Sequence, residues 1–187
     1  MSELIVDTDT ELSELFFGGD RDRAVRKVKR LISMGRNSYG HENIHVASHD
    51  SQVLGVVVAY SHEDKANWSQ LRAFLRVMNI CDKMRFILLG IPLTEIIMPE
   101  DLKPGDIYIS NVVVGREYRG RGIGSFLLEK LKEQASYAGF RRLWLYVSHD
   151  NEIAIKLYEK MGFRVCRKRK LWLPWLKIET YKMELVV

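Results

Sequence analysis

The sequence predicts a single α/β domain, residues 1–187, built on one β-sheet of mixed direction flanked by helices. Two strand–helix units in the second half carry this expectation, and the composition agrees with it. In the first unit the apolar strand from Asp106 to Val114 runs into a charged turn, then a glycine-rich stretch, then the helical run Phe126 to Ala135. In the second unit Arg141-Arg142-Leu143-Trp144-Leu145-Tyr146-Val147 alternates and is rich in β-formers. Ser148 to Asn151 then offers capping residues, and Ala154, Leu157, Tyr158 and Met161 form an i, i+3, i+4, i+7 stripe. Gly162 ends that helix and Phe163 to Cys166 resumes strand. With 47% apolar and 28% charged residues in 187, the chain can bury a substantial core.

Taken in order, Leu4-Ile5-Val6 reads as a first strand and Asp9-Thr10-Glu11-Leu12 opens a short helix. A basic helix follows from Arg21 to about Met34, with Ala24, Val25, Val28, Leu31 and Ile32 as its apolar face. Gly35 to Asn43 is loop. Ile44 to Ser48 and Val53 to Tyr60 read as a hairpin through His49-Asp50-Ser51-Gln52. Asn67 to Leu89 looks helical, with Trp68, Leu71, Phe74, Leu75 and Met78 on one face, and makes a helical insertion between the third and fourth strands. Ile91 to Gly105 is loop, Asp106 to Val114 is the fourth strand, and Lys182 to Val186 is the last. There is no linker, repeat or low-complexity tract.

The glycines carry the first functional signal. In Gly115-Arg116-Glu117-Tyr118-Arg119-Gly120-Arg121-Gly122-Ile123-Gly124-Ser125, glycines at the mouth of a helix leave its first N–H groups open to a large anion. Gly115 and Gly120 have P-loop spacing, but Arg121-Gly122 replaces the Lys-Ser/Thr that such a loop needs. A dinucleotide fingerprint fails because Ser125 holds the third glycine position and the turn is too long. Arg119-x-x-Gly122-x-Gly124 instead matches Arg/Gln-x-x-Gly-x-Gly/Ala in full. That pattern is the pyrophosphate loop of the GCN5-related N-acetyltransferases (GNAT), which this chain resembles. Asn151, Ala154, Leu157, Tyr158, Gly162 and Phe163 fall in register with that family's second motif, Asn-x-x-Ala-x-x-Leu-Tyr-x-x-x-Gly-Phe. The C-terminal half is similar to the ribosomal-protein N-terminal acetyltransferase branch.

The resemblance implies acetyl-CoA as co-substrate and an amine as acceptor, with no metal. It places pantetheine along Val112, Val113 and Val114, and the pyrophosphate on Arg119, Gly120, Arg121, Gly122, Ile123, Gly124 and Ser125. Asn151 would contact the pantetheine arm and Tyr158 would protonate the leaving thiolate. The branch's glutamate base has no counterpart, because Tyr146 stands at its position. Glu95, Glu100 and Asp101, in an acidic loop before the fourth strand, are the replacement candidates, as is a water chain. No cysteine lies in either motif, so direct transfer is expected. A lysine amine titrating near about 10.4 costs roughly 4–5 kcal/mol to deprotonate at pH 7, whereas an α-amine near about 8 costs about 1 kcal/mol. The acceptor is expected to be a protein or peptide amine, or else a polyamine or antibiotic. The alternative in another class is a non-catalytic acyl-CoA sensor.

Other features are set aside. Cys81 and Cys166 form no C-x-x-C, so neither a disulfide framework nor a zinc site is suggested. The N-terminus lacks signal-peptide character and no apolar run is long enough to span a bilayer, so a cytoplasmic setting is expected. The +5 formal charge resides in helix and strand clusters without a nucleic-acid motif, so no nucleic-acid partner is expected. His41, His45 and His49 recur every four residues but fall on a strand and its flanks, not on one helical face. Ser148, His149 and Asp150 are adjacent and suit a helix cap better than a catalytic relay. Arg167 to Ile178 mixes cations with Leu and Trp; it reads as a β-hairpin arm near the acceptor groove or a homodimer contact, in preference to a membrane-surface anchor.

Overall fold

The computed structural model describes residues 1–8, 20–62, 68–84, 102–173 and 176–187. Its first element corrects the sequence reading, because Ser2–Thr8 is a helix (α1) and not a strand. Three consecutive apolar residues fit either period. The helix buries Ile5 and Val6 in a core shared with the next helix and leaves Glu3 and Asp7 in solvent. The strand count therefore falls by one, and the helical insertion lies between the second and third strands. The helix expected from Asp9 lies outside the described residues.

Helix α2 (Arg21–Met34) starts where Asp20 accepts a hydrogen bond from the Asp22 amide at 3.0 Å, and it ends at Gly35, whose φ is 62°. Its predicted face is buried at Ala24, Val28, Leu31 and Ile32, and half-buried at Val25. Strands β1 (Ile44–His49) and β2 (Gln52–Ser61) form the expected hairpin. Asp50 and Ser51 make its two-residue turn at φ 46° and 64°, the left-handed pair a type I′ turn requires. Helix α3 (Trp68–Val77) is shorter than expected. The chain leaves helix at Met78 and Asn79 and is helical again over 80–84, where Asn79 and Asp82 cap each other at 2.8 and 2.9 Å. Residues 85–89 of the expected helix lie outside the described residues. Phe74 and Met78 pack inward as read, whereas Leu75 is exposed and Ala73 and Val77 take the inner face.

The second half follows as β3 (Asp106–Val114), α4 (Ile123–Tyr137), β4 (Arg142–Ser148), α5 (Glu152–Lys160), β5 (Arg164–Leu173) and β6 (Leu176–Val186). The sheet order is β1-β2-β3-β4-β6-β5, antiparallel throughout except for the parallel β3–β4 pair. The expected C-terminal arm is the β5–β6 hairpin, and β6 starts six residues before the predicted Lys182.

Alternation along the strands divides the core. Val57, Ala59, Ile107, Ile109, Leu143, Leu145 and Met183 face α4 and α5. On the other face Val56, Val58 and Val113 meet α1, α2 and α3. Further along that face Tyr60, Tyr108, Trp144 and Leu102 form an aromatic cluster, with Tyr146 packed against it.

Candidate active site

The parallel β3–β4 junction is only half closed. Its register runs from Asp106↔Arg142 to Ile109↔Leu145 and stops there. Beyond it β3 stays paired to β2 as far as Gly55↔Val114, and β4 stays paired to β6 as far as Ser148↔Thr180. Each wall is thus held from outside while the two part from one another. A bulge explains where they part. The β2–β3 register skips Ser110, whose hydroxyl donates to the Val58 carbonyl at 3.3 Å and to Asn111 Oδ1 at 2.9 Å. An extra residue bends its strand, and it does so here one residue past the last β3–β4 pair. At the closed end Arg142 clamps the junction, donating to Asp106 at 2.6 and 3.1 Å and to Glu184 at 3.2 Å. The Asp106 hydrogen bond raises the Arg142 pKa above its usual value.

The strand β3 feeds the glycine loop. Gly120 and Gly122 adopt φ 74° and 80°, and a Cβ built on either would meet nothing within 4 Å. Gly122 opens α4 without a side-chain cap, and the first amide bonded back is that of Phe126, to the Gly122 carbonyl at 2.9 Å. The amides of Ile123, Gly124 and Ser125 are therefore the orphan donors of this helix. Arg119 is anchored by Nε donating to the Val114 carbonyl at 3.2 Å, and the Arg121 guanidinium lies 5.7 Å from the Tyr118 ring centroid. Gly124 is needed for packing as well, since a Cβ there would stand 3.3 Å from Leu157 of α5.

Helix α5 begins at Asn151, whose Oδ1 accepts from the Ala154 amide at 3.1 Å. Capping uses the oxygen and leaves the side-chain NH2 as a donor. Tyr158 is buried against Phe163, with ring centroids 5.8 Å apart. Burial pushes its pKa well above the ordinary phenol value, and its hydroxyl has no hydrogen-bond partner among the described residues. Tyr146, one residue beyond the last β3–β4 pair, points to the opposite face. Its ring meets Trp144 at 5.6 Å, and the Arg169 guanidinium lies 5.6 Å from its centroid.

The sequence reading missed the aromatic floor beneath Tyr146. Tyr60 and Tyr108 lie 5.4 Å apart, and Tyr108 lies 4.8 Å from Trp144. Burial raises the Tyr60 and Tyr108 pKa values, and the neighbouring Tyr39, Tyr146 and Tyr158 hydroxyls raise that of Tyr108 further. Alternation marked these positions as one face, but nothing in the spacing marked them as converging on an opening. Glu95, Glu100 and Asp101 lie outside the described residues. Leu102, the first described residue after them, is buried in this aromatic cluster.

The profile described as the Acetyltransferase (GNAT) family matches residues 8–163. The chain belongs to that family. Among curated relatives, the mycothiol acetyltransferase of Corynebacterium aurimucosum is 35% identical over 68 residues, 36% of this chain and 22% of that protein. The [ribosomal protein bS18]-alanine N-acetyltransferase of Escherichia coli K12 is 38% identical over 64 residues, 34% of this chain and 43% of that one. The matches thus span less than half of these relatives. A solved N-acetyltransferase from Staphylococcus aureus Mu50 shares the fold over 98% of this chain and 92% of its own, with a TM-score of 0.73 at 20% identity. No helix among the described residues is long and apolar enough to cross a membrane.

Proposed function

We infer that this GNAT chain acts as one domain and is an acetyl-CoA-dependent N-acetyltransferase that transfers acetyl directly to a primary amine of a protein or peptide. One observation carries the reading: a half-open parallel strand junction lies beside a helix mouth with three orphan amides. The site fits the co-substrate, because Gly120 and Gly122 keep clear the space that a Cβ would fill.

Acetyl-CoA, when bound, supplies an acyl group activated as a thioester. The amides of Ile123, Gly124 and Ser125, with Gly120, Arg119 and Arg121, hold the diphosphate. The inner edge of Val112, Val113 and Val114 offers backbone groups to the pantetheine amides, and one N–H polarises the thioester carbonyl. Asn151 donates its remaining N–H to the same arm. Tyr158 keeps a proton on its oxygen at every working pH. Its raised pKa makes complete proton loss costly, so its contribution is a strong hydrogen bond to the departing sulfur. The acceptor nitrogen gains the acetyl group and gives up one proton, and CoA leaves as a thiolate that Tyr158 hydrogen-bonds and that takes its proton from solvent. Glu95, Glu100, Asp101 or a water chain takes that proton, and Tyr146 lines the acceptor wall on the face opposite Tyr158.

Thiol release with a panel of peptide, polyamine and antibiotic amines tests this reading. Tyr158→Phe is expected to lower kcat by about 10²-fold or more, in the range typical of a lost transition-state hydrogen-bond donor, with CoA affinity by calorimetry unchanged. Tight CoA binding without turnover of any amine would make the chain a sensor instead.

A further inference from the structure

The outer surface of helices α2 and α3 takes no part in the chemistry above, yet it is built as one basic face. On α2, Arg23, Arg26 and Arg30 recur at i, i+3 and i+7, with Lys29 beside them. All four are exposed, opposite the buried stripe of Ala24, Val28 and Leu31. On α3, Arg72 and Arg76 stand one turn apart and are exposed as well. None of these six cations has a hydrogen-bond or ion-pair partner among the described residues. The nearby acids are engaged or lie at one end. Asp7 holds Arg21 at 2.8 Å and Asp82 holds Lys27 at 2.6 Å, while Asp20, Asp22 and Glu3 gather at the Arg21 end.

An exposed apolar pair adjoins the cations. Asp82 turns inward to Lys27, so Ile80 and Met84, on the other side of the same helical turn, face outward. They are 80% and 53% exposed, and Lys83, between them in sequence, is exposed too. Arg23 to Arg30 covers about 10 Å at ~1.5 Å per residue, and neighbouring helices pack about 8–10 Å apart. Helices α2 and α3 are such neighbours, so their cations lie within about one to two screening lengths and act as one field.

The chemistry of the face selects its partner. A second copy of the chain would present like charge. A nucleic acid would meet the cations but offers nothing apolar to Ile80 and Met84. A bilayer with anionic lipids supplies negative charge over the whole area and an apolar layer beneath it. We propose that the α2–α3 face docks on an anionic lipid surface, its arginines and Lys29 meeting the headgroups while Ile80 and Met84 enter the interface. Helix α4 packs on the other face of the sheet, so a docked molecule keeps its glycine-lined helix mouth toward water.

Co-sedimentation of the full chain with vesicles tests this, using phosphatidylcholine alone or with about one third phosphatidylglycerol. Partition onto the anionic vesicles is expected to be about tenfold or more stronger, and to fall several-fold between about 50 and 300 mM salt. Arg26→Glu with Arg30→Glu is expected to lower it about tenfold or more. Lys130→Glu with Lys132→Glu, on the outer side of α4, makes the same change of net charge and is expected to cost less than about twofold. Ile80→Ser with Met84→Ser is expected to weaken binding several-fold while leaving the salt dependence intact. Should the α2 variant fold poorly, Arg72→Gln with Arg76→Gln decides in its place, with a several-fold loss expected. Equal partition onto both vesicle types overturns the proposal, as does an equal loss in the α2 and α4 variants or full binding by the Ile80, Met84 variant. Binding of single-stranded RNA or polyglutamate through Arg26 and Arg30, without vesicle binding, overturns it as well. None of these outcomes bears on the acetyltransferase reading, which thiol release decides.

Discussion

Tyr158 and Gly122 show how much of the site depends on what a single residue leaves undone. Tyr158 leaves its hydroxyl unpaired among the described residues, and Gly122 leaves a helix mouth uncovered. Gly122→Ala would place a side chain at φ 80°, a conformation costing an L-residue about 1–2 kcal/mol, and would put a methyl group into the proposed diphosphate site. A fall in CoA affinity beyond the fall in melting temperature is expected, read by calorimetry and thermal denaturation together. Ser51 is the converse case, because the hairpin already carries that strain at φ 64°. Ser51→Gly is expected to raise stability by about 0.5–1 kcal/mol in urea unfolding, without touching activity. The placement of Gly120, Gly122 and Gly124 at the mouth of α4, and of Asn151 and Tyr158 on α5, was legible in the sequence, because each sits at a fixed offset within a strand–helix unit. Tyr108 and Ser110 were not. Their importance comes from a ring stack and a bulge, which depend on residues some fifty positions away.

At the scale of elements, the clamp of Asp106, Arg142 and Glu184 fixes where β3 and β4 meet, as the Ser110 bulge fixes where they separate. Asp106 is 5% exposed, so Arg142→Met would leave a buried carboxylate without its main partner. Loss of about 2–4 kcal/mol in denaturant unfolding is expected, somewhat less than for a fully buried pair because Arg142 is partly solvated. The strands and helices of the second half were readable because long alternating or stripe-forming segments admit one period. The start of the chain was misread for the opposite reason. Ile5 and Val6 are buried whichever way three apolar residues are wound, and only the presence of α2 makes the helix the better choice. The break at Asn79 was hidden because its cap is a mutual Asn79–Asp82 pair, with no proline or glycine to announce it.

For the whole molecule, three buried phenols set an upper limit in pH. Tyr60, Tyr108 and Tyr158 all have pKa values raised by burial. Below about pH 10 they are protonated folded or unfolded and stability is unaffected. Above it the unfolded chain loses these protons while the folded chain keeps them, so stability falls as pH rises. Each phenol contributes up to about 1.4 kcal/mol per pH unit, and melting temperatures taken between pH 9 and 11 should drop steeply. Replacing Tyr60 with Phe should shallow that drop. The same desolvation keeps Tyr158 a donor throughout the range in which an amine acceptor loses its proton, so any basic limb of the rate profile belongs to another group.

Past Ile109↔Leu145 the inner rims of Asn111–Val114 and Tyr146–Ser148 no longer pair with each other. A bound pantetheine would lie there as a missing seventh strand. Amide hydrogen exchange at Asn111–Val114 should therefore slow when CoA is added, while β2, already paired on both sides, should change little. Its arrival would join the β1-β2-β3 and β4-β6-β5 halves along their whole length, and its departure would let them part.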